Sequence, residues 1–340
     1  MVFVTDPDLP VLVTGAAGFI GARFVESANR CGVPVISVDT ADEFTSRAEH
    51  EGVDFGTVVD RDALFDELAD GRLDRAVRGV VHLGACTDTT ELDEAWLERV
   101  NVVYSQRLWT AARNAGVPFA YASSAATYGD GSRGFVDDEA AMHLLEPLNP
   151  YGESKLRFDL WALDEERAGR APAAWSGFKF FNVYGFGERH KERMSSVVLQ
   201  GFDQIRTTGR VRLFQSHRDG IADGHQQRDF VYVDDVVDVL WFALETPLRR
   251  GIYNLGSGTA RTFLDLAHAT FAALGREPEI EFVPTPEHLR ERYQYFTQAD
   301  LTRLRAAGYD RPFTSLEEGV RRYVERLQQA AVEAGDGARS

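Results

Sequence analysis

Val11-Leu12-Val13-Thr14-Gly15-Ala16-Ala17-Gly18-Phe19-Ile20-Gly21 runs from a short apolar segment through a glycine-rich turn into residues of helical period. Glycines alone would be compatible with a plain loop, but a turn that closes a strand and opens a helix is a different object. The free N–H groups at such a helix start attract an anion. Gly15, Gly18 and Gly21 permit the tight turn, the approach of backbone to a pyrophosphate, and the packing of helix on strand. This arrangement points to a bound dinucleotide. Asp39 follows Gly21 by 18 residues and closes the next apolar run, Val35-Ile36-Ser37-Val38. A carboxylate there can accept hydrogen bonds from the adenine ribose hydroxyls, which favours NAD, although a solvated strand-end Asp has the same sequence appearance. Arg47 is near enough in sequence to receive a 2′-phosphate, so NADP stays open beside NAD.

Outward from this turn the chain alternates short apolar runs with longer amphipathic stretches. Val11-Leu12-Val13, Val35 to Val38, Val80-Val81-His82-Leu83 and Phe119-Ala120-Tyr121-Ala122 read as strands buried on both faces. Helices are expected near 19–31, 61–70 and 94–115, the last on the strength of Trp96, Leu97, Val100, Val103 and Leu108. Strands also read at 177–183, 251–255 and 280–283, with helices near 194–208, 262–274 and 315–331 and an exposed loop over 216–227. The fold expected is α/β, a doubly wound Rossmann parallel sheet with a smaller C-terminal α/β substrate lobe. Its expected organisation is a dinucleotide-binding domain over residues 1–180, a mainly substrate-binding lobe over 181–333 from which some elements return to the sheet, and a flexible tail over 334–340.

Composition narrows the partners. The 340 residues carry 37 Lys and Arg against 53 Asp and Glu, a net charge of −16 that would repel phosphate backbones and anionic lipid over most of the surface. No nucleic acid and no membrane partner is expected, and an anionic substrate must be met locally by a few basic groups or by helix-start amides. Apolar residues at 44% are enough for a real core. Two cysteines, Cys31 and Cys86, cannot form a disulfide framework and read as buried fillers in a reducing compartment. No stretch has the length of a membrane span, the first ten residues lack a signal peptide's basic region, and a cytoplasmic protein without a metal is expected.

Two further stretches carry chemistry. Asn149-Pro150-Tyr151-Gly152-Glu153-Ser154-Lys155 should start a helix, since Asn caps well and Pro suits the first turn. Tyr151 and Lys155 then share a face. A phenol with a pKa of about 10 is a poor base at neutral pH, but a nearby ammonium and a positive nicotinamide both favour the phenolate. A surface Tyr–Lys pair would look the same without the dinucleotide turn. Ser123-Ser124-Ala125-Ala126-Thr127 closes the fourth strand, at the edge where open α/β sheets bind ligands. Ser124 could there hold a substrate oxygen or simply cap a turn.

These motifs resemble the extended short-chain dehydrogenase/reductase family of nucleotide-sugar epimerases and dehydratases. Longer strings, among them His82 to Cys86, Tyr121 to Gly129, Phe181 to Gly185, Arg228 to Val233 and Phe296 to Tyr309, resemble the branch that inverts carbon 6 of an ADP-linked heptose for the lipopolysaccharide core. The resemblance implies tightly held NADP or NAD contacted by Phe19, Ile20, Asp39, Thr40, Leu83, Gly84, Ala85, Cys86, Thr87, Asn101, Tyr151, Lys155 and Val183. It implies Tyr151 and Lys191 as the proton-handling groups for the two epimers, with Lys155 and Ser124 supporting. Lys191 lies in a charged loop that would otherwise read as solvated surface. For the ADP-sugar it implies Ser124, Asn182, Arg193, Gln200, Phe214, Arg228 and Tyr293, and it implies a homo-oligomer. Arg228 suits a diphosphate on physical grounds, with a salt bridge to Asp229 or Asp234 as its plainer role. The chain departs from the family pattern at Glu192 and Arg193 after the lysine, at Gln200 where a His is usual, and in the longer segment 216–227. Alternatives within the family are a 4-epimerase or 4,6-dehydratase, and outside it a non-catalytic dinucleotide-binding protein. A dehydratase would be expected to carry an acidic pair near Ser124, and Ala125-Ala126-Thr127 has none.

Overall fold

The computed structural model describes residues 8–69, 77–246, 250–290 and 293–337. The chain divides into two units, the first formed by Met1–Phe180, Val236–Leu255 and Asp300–Asp310, the second by Phe181–Asp235, Gly256–Ala299 and Arg311–Ser340.

The first unit is built on seven parallel strands, β1 (Val11–Thr14), β2 (Val35–Asp39), β3 (Thr57–Asp60), β4 (Gly79–His82), β5 (Phe119–Ser124), β6 (Trp175–Phe180) and β10 (Gly251–Leu255), in the order β10-β6-β5-β4-β1-β2-β3. Every residue of β1, β4 and β10 is buried, which is why these strands read as unbroken apolar runs rather than alternating ones. Helices α1 (Phe19–Arg30), α2 (Leu64–Ala69), α3 (Glu94–Leu97), α4 (Tyr104–Ala115) and α5 (Pro150–Arg167) connect them. The core gathers Leu12, Val38, Val80, Trp109, Phe119, Phe158, Trp175 and Ile252. Here the doubly wound parallel sheet expected from the sequence is found, with three strands, β3, β6 and β10, beyond the four in its N-terminal reading. The 251–255 run, read with the smaller lobe, pairs instead with β6 through Ile252 opposite Gly177.

The second unit has one three-stranded sheet, β11-β9-β7, from β7 (Asn182–Tyr184), β9 (Gln227–Tyr232) and β11 (Ala260–Thr262), and one two-stranded sheet of β8 (Val211–Phe214) and β12 (Ile280–Val283). Strand β8 alternates buried Val211 and Leu213 with exposed Arg212 and Phe214, the pattern of a sheet covered on one face. Val211, Leu213, Ile205, Ala267 and Phe271 form its core with α6 (Val197–Thr208) and α8 (Phe263–Ala273). Helices α7 (Val233–Glu245), α9 (Glu287–Arg290), α10 (Thr302–Ala306) and α11 (Leu316–Gly337) complete the chain.

Several expectations are corrected. The single helix expected over 94–115 is interrupted by a π-helical turn, Glu98–Val103, between α3 and α4. The strand expected over 177–183 breaks at Phe181, and its halves belong to different sheets. Helix α11 continues to Gly337, beyond the 331 expected for its end; Ala330 and Ala331 favour continuation. Residue 70 of one expected helix and 338–340 of the tail lie outside the described residues. Cys31 is exposed and Cys86 half-buried, so neither is a core filler. Among the described residues no helix is long and apolar enough to cross a membrane.

Candidate active site

In the first unit the glycine turn has the conformation its residues allow. Gly15 has φ +67°, and a Cβ there would lie 2.6 Å from the Gly84 amide nitrogen, so the turn and the loop after β4 pack backbone to backbone. A Cβ at Gly21 would collide with the Gly15 carbonyl oxygen. The N-terminus of α1 has Gly18 as its cap, no side-chain cap and no acidic residue in its first turn. Its amides are therefore not answered by any capping side chain or first-turn carboxylate, which is the cradle a pyrophosphate fits. Asp39 turns its carboxylate to this turn, accepting from the Ala17 N–H at 3.0 Å and from the Thr40 N–H at 2.9 Å. Burial pushes its pKa up, against those two amides and Arg47. The Arg47 guanidinium is engaged by the Ala17 carbonyl and the Glu43 carboxylate.

The loop after β4 is pinned from below. Asn101, in the π-helical turn, accepts from the Cys86 N–H at 2.8 Å and donates to the Cys86 carbonyl at 3.1 Å and the Ser154 hydroxyl at 2.9 Å. A π turn in place of an α turn is uncommon and frequently sits at a functional site. It carries Asn101, which the family resemblance pointed to and helical periodicity could not place. His82 closes β4. Its Nδ1 lies 2.6 Å from the Thr14 hydroxyl and its Nε2 2.8 Å from Ser105, whose own hydroxyl donates to the Asn101 carbonyl. Burial and the Lys155 charge push His82 down to about 3, so the imidazole is neutral and serves as a structural link.

Helix α5 starts as its sequence predicts, with the Asn149 side chain accepting from the Gly152 N–H at 2.8 Å and Pro150 in the first turn. Tyr151 and Lys155 lie on its buried side, 8% and 6% exposed. Ser124 accepts from the Ala126 N–H at 3.1 Å and so caps the turn Ala125–Tyr128, and its hydroxyl acts to lower the pKa of the Tyr151 phenol. The Lys155 ammonium donates to the Ala122 carbonyl at 3.0 Å. Burial, with the Cys86 and Asp159 charges, raises Tyr151 above its ordinary value against the Ser124 hydroxyl, whereas for Lys155 burial outweighs Asp159 and Cys86 and pushes it down to about 8. The lowered phenol expected from the Tyr–Lys spacing is therefore not a property of these side chains alone, because desolvation penalises both charged forms.

The second unit holds the remaining candidates. Arg228 on β9 is 8% exposed, its guanidinium 5.5 Å from the Tyr293 ring and 5.6 Å from the Phe263 ring, and it donates to the Gln227 carbonyl at 2.8 Å. Among the described residues it forms no ion pair. Asp229, one of its plainer partners, accepts instead from the Ser257, Gly258 and Ala299 amides. A buried guanidinium beside two rings and without a carboxylate partner could accept an anion from outside the chain. Gln200 donates to the Ser195 carbonyl at 2.8 Å and the Arg193 carbonyl at 3.3 Å, bracing the loop that carries Lys191. Asn182, Arg193 and Phe214 are exposed, and Val183 is half-buried.

Lys191 is half-buried in the segment Arg189–Met194. Its amide donates to the Glu188 carbonyl at 3.0 Å, and burial lowers its ammonium's pKa while the Glu188 charge opposes. Glu188, missed in the sequence, is 1% exposed and accepts from the Ser196 amide at 2.6 Å, tying this loop to the start of α6. Glu192 is the one non-glycine residue with positive φ among the described residues, at φ 47° and ψ −112°. That strain stands next to the lysine. Glu192→Gly is expected to raise the unfolding free energy by about 1 kcal/mol, read from the urea midpoint at unchanged slope. A lower midpoint would mean the left-handed turn is not strained.

The NAD dependent epimerase/dehydratase family matches residues 11–256. A protein of Nitratidesulfovibrio vulgaris (strain DP4) named ADP-L-glycero-D-manno-heptose-6-epimerase is 46% identical over 324 residues, covering 94% of this chain and 98% of its own. The crystal structure of the Helicobacter pylori protein of that name superposes with a TM-score of 0.77 at 25% identity, over 96% of this chain and 99% of its own. The UDP-glucose 4-epimerase of Thermus thermophilus, solved in complex with NAD, gives a TM-score of 0.72 at 26% identity, over 94% and 99%. With the glycine cradle, the Asp39 carboxylate and the Ser124, Tyr151 and Lys155 constellation in place, the chain belongs to the NAD dependent epimerase/dehydratase family.

Proposed function

We propose that this enzyme inverts carbon 6 of an ADP-linked glycero-manno-heptose, a lipopolysaccharide core sugar, by transient oxidation to the 6-keto sugar and return of hydride to the opposite face. The observation that carries the reading is the 46% identity, over nearly the whole chain, to a protein named for that activity, in a chain that buries Tyr151 and Lys155 and keeps a half-buried Ser124 at the end of β5.

Gly15, Gly18 and the start of α1 would hold the pyrophosphate of the cofactor, and Asp39 the adenine ribose. The Asp39 carboxylate is an unfavourable neighbour for a 2′-phosphate, and Arg47 is already engaged, which supports NAD over NADP. When bound, NAD supplies a two-electron acceptor that takes hydride from carbon 6 and gives it back, and a positive charge that favours the phenolate. Tyr151 takes the alcohol proton of one epimer as its carbon is oxidised, with Ser124 hydrogen-bonding the substrate oxygen and Lys155 stabilising the phenolate. Lys191 handles the proton of the other epimer. Arg228 meets the diphosphate and Tyr293 covers one face of that guanidinium. Asn182, Phe214, Arg193 and Gln200 belong to the substrate side in the same reading. The setting is cytoplasmic and the enzyme a homo-oligomer.

The test is turnover of ADP-heptose in heavy water by purified protein with no cofactor added. The epimer formed should carry no deuterium at carbon 6, and denaturation should release NAD. Deuterium at that carbon would replace hydride return with an enolising mechanism. Inversion of a different nucleotide sugar in preference to ADP-heptose would overturn the substrate.

A further inference from the structure

Directly behind Ser124 lies a buried ion pair that no part of the reaction described above uses. Lys179 on β6 and Asp159 on α5 are both 0% exposed, with Nζ 2.7 Å from Oδ2. Lys179 sits beside Ser123 in the β5–β6 register, and Asp159 follows Lys155 by one helical turn on the same side of α5. The Asp159 carboxylate also accepts from the Ser123 hydroxyl at 2.7 Å and the Tyr121 hydroxyl at 2.9 Å. The Lys179 ammonium donates to the Thr127 hydroxyl at 2.6 Å, and that hydroxyl donates to the Ser124 carbonyl at 2.8 Å. The Tyr128 ring lies 5.2 Å from the ammonium. The pair thus grips the serine turn on both sides, at residue 123 and at residue 127.

Stability alone does not explain such a feature. Replacing a buried ion pair by well-packed apolar residues is often neutral or favourable, so two charges kept in a dry core call for a positional reason. We propose that Asp159 and Lys179 are positioning residues, which hold the Ser124 hydroxyl in register with Tyr151 and set the charge behind both. The proposal rests on the reading of Ser124 and Tyr151 as reacting groups. Asp159 raises the pKa of both Tyr151 and Lys155, and Lys179 balances it. The other groups facing Tyr151 and Lys155 are Ser124, Cys86 and His82; those facing the pair are Tyr121, Ser123, Thr127 and Tyr128, with Glu139 and Asp137 acting on the two tyrosines.

The experiment compares full-length, NAD-loaded wild type with Lys179→Met, which strands the carboxylate, and with the double variant Asp159→Leu, Lys179→Met, which removes both charges. Ser123→Ala, which deletes one hydroxyl from the carboxylate, serves should either variant fail to fold. Three readouts are taken: kcat and KM for ADP-heptose, the thermal midpoint, and the ultraviolet phenolate titration of Tyr151 as a difference against Tyr151→Phe. The double variant should keep its KM and lose about tenfold or more in kcat, as a misplaced hydroxyl would produce, while its midpoint falls because the Ser123 and Tyr121 hydroxyls lose their acceptor. In Lys179→Met, or in Ser123→Ala, the phenolate titration should move up in pH, by about one pH unit for the stranded charge. A double variant with wild-type kcat, or a titration that does not move, overturns the proposal and leaves the pair a structural one. Because the titration needs no sugar, a wild type inactive on ADP-heptose would sink the proposed function without deciding this question.

Discussion

Tyr151→Phe is expected to lower kcat by about 10²- to 10⁴-fold while leaving NAD bound and the fold intact. The reason is local. The phenol is 8% exposed and its ring is part of the packing of α5, which phenylalanine preserves. Ser124 keeps its hydrogen bond from the Ala126 N–H, so the turn survives loss of the phenolic partner. Only the proton-handling group is removed. Turnover is followed by separating the two epimers, and cofactor by release on denaturation; a variant with wild-type turnover would take Tyr151 out of the chemistry.

Lys155→Met should give the second large effect, with opposite signs for activity and stability. Activity should fall about a hundredfold or more, because the charge that favours the phenolate is lost. Stability at pH 7 should not fall. Burial holds Lys155 at about 8, below its unfolded value, so the folded state disfavours the ammonium. A group depressed in this way costs stability below its folded pKa, here about 3 kcal/mol, and the cost fades as pH rises from about 8 towards about 10.4. Methionine escapes that cost but leaves the Ala122 carbonyl without its donor, a loss of about 1–3 kcal/mol. The variant should therefore match or exceed wild type in urea midpoint at pH 7 and lose ground steadily between about pH 8 and about pH 10. A constant difference across that range would show that Lys155 titrates in the folded protein as it does in the unfolded chain.

The cofactor half of the site was legible before any coordinates because its parts are contiguous. Gly15 to Gly21 is one turn, Asn149 to Lys155 is the first turn and a half of one helix, and a strand buried on both faces announces itself as Val11 to Val13 or Val80 to Val81. Three features escaped. The π turn at Asn101 leaves helical periodicity on either side nearly intact. The edge strand β10 is as apolar as any other buried strand, and nothing in its residues says which sheet it joins. The partner of Lys179 is 20 residues away on another element, and an isolated lysine in an apolar run gives no address for its counter-ion.

Electrostatics divides the same way. Residue types and spacing were enough to say that a phenol, an ammonium and a hydroxyl belong together at the end of β5. Spacing implied that the ammonium would draw the phenol down, whereas in the folded chain burial raises the one and lowers the other. Hydrogen-bond periodicity and glycine conformation are properties of neighbouring residues, so the chain carries them openly. Desolvation and ion pairing depend on what distant segments pack against, and for Tyr151, Asp159, Lys179 and Arg228 that packing sets the chemistry.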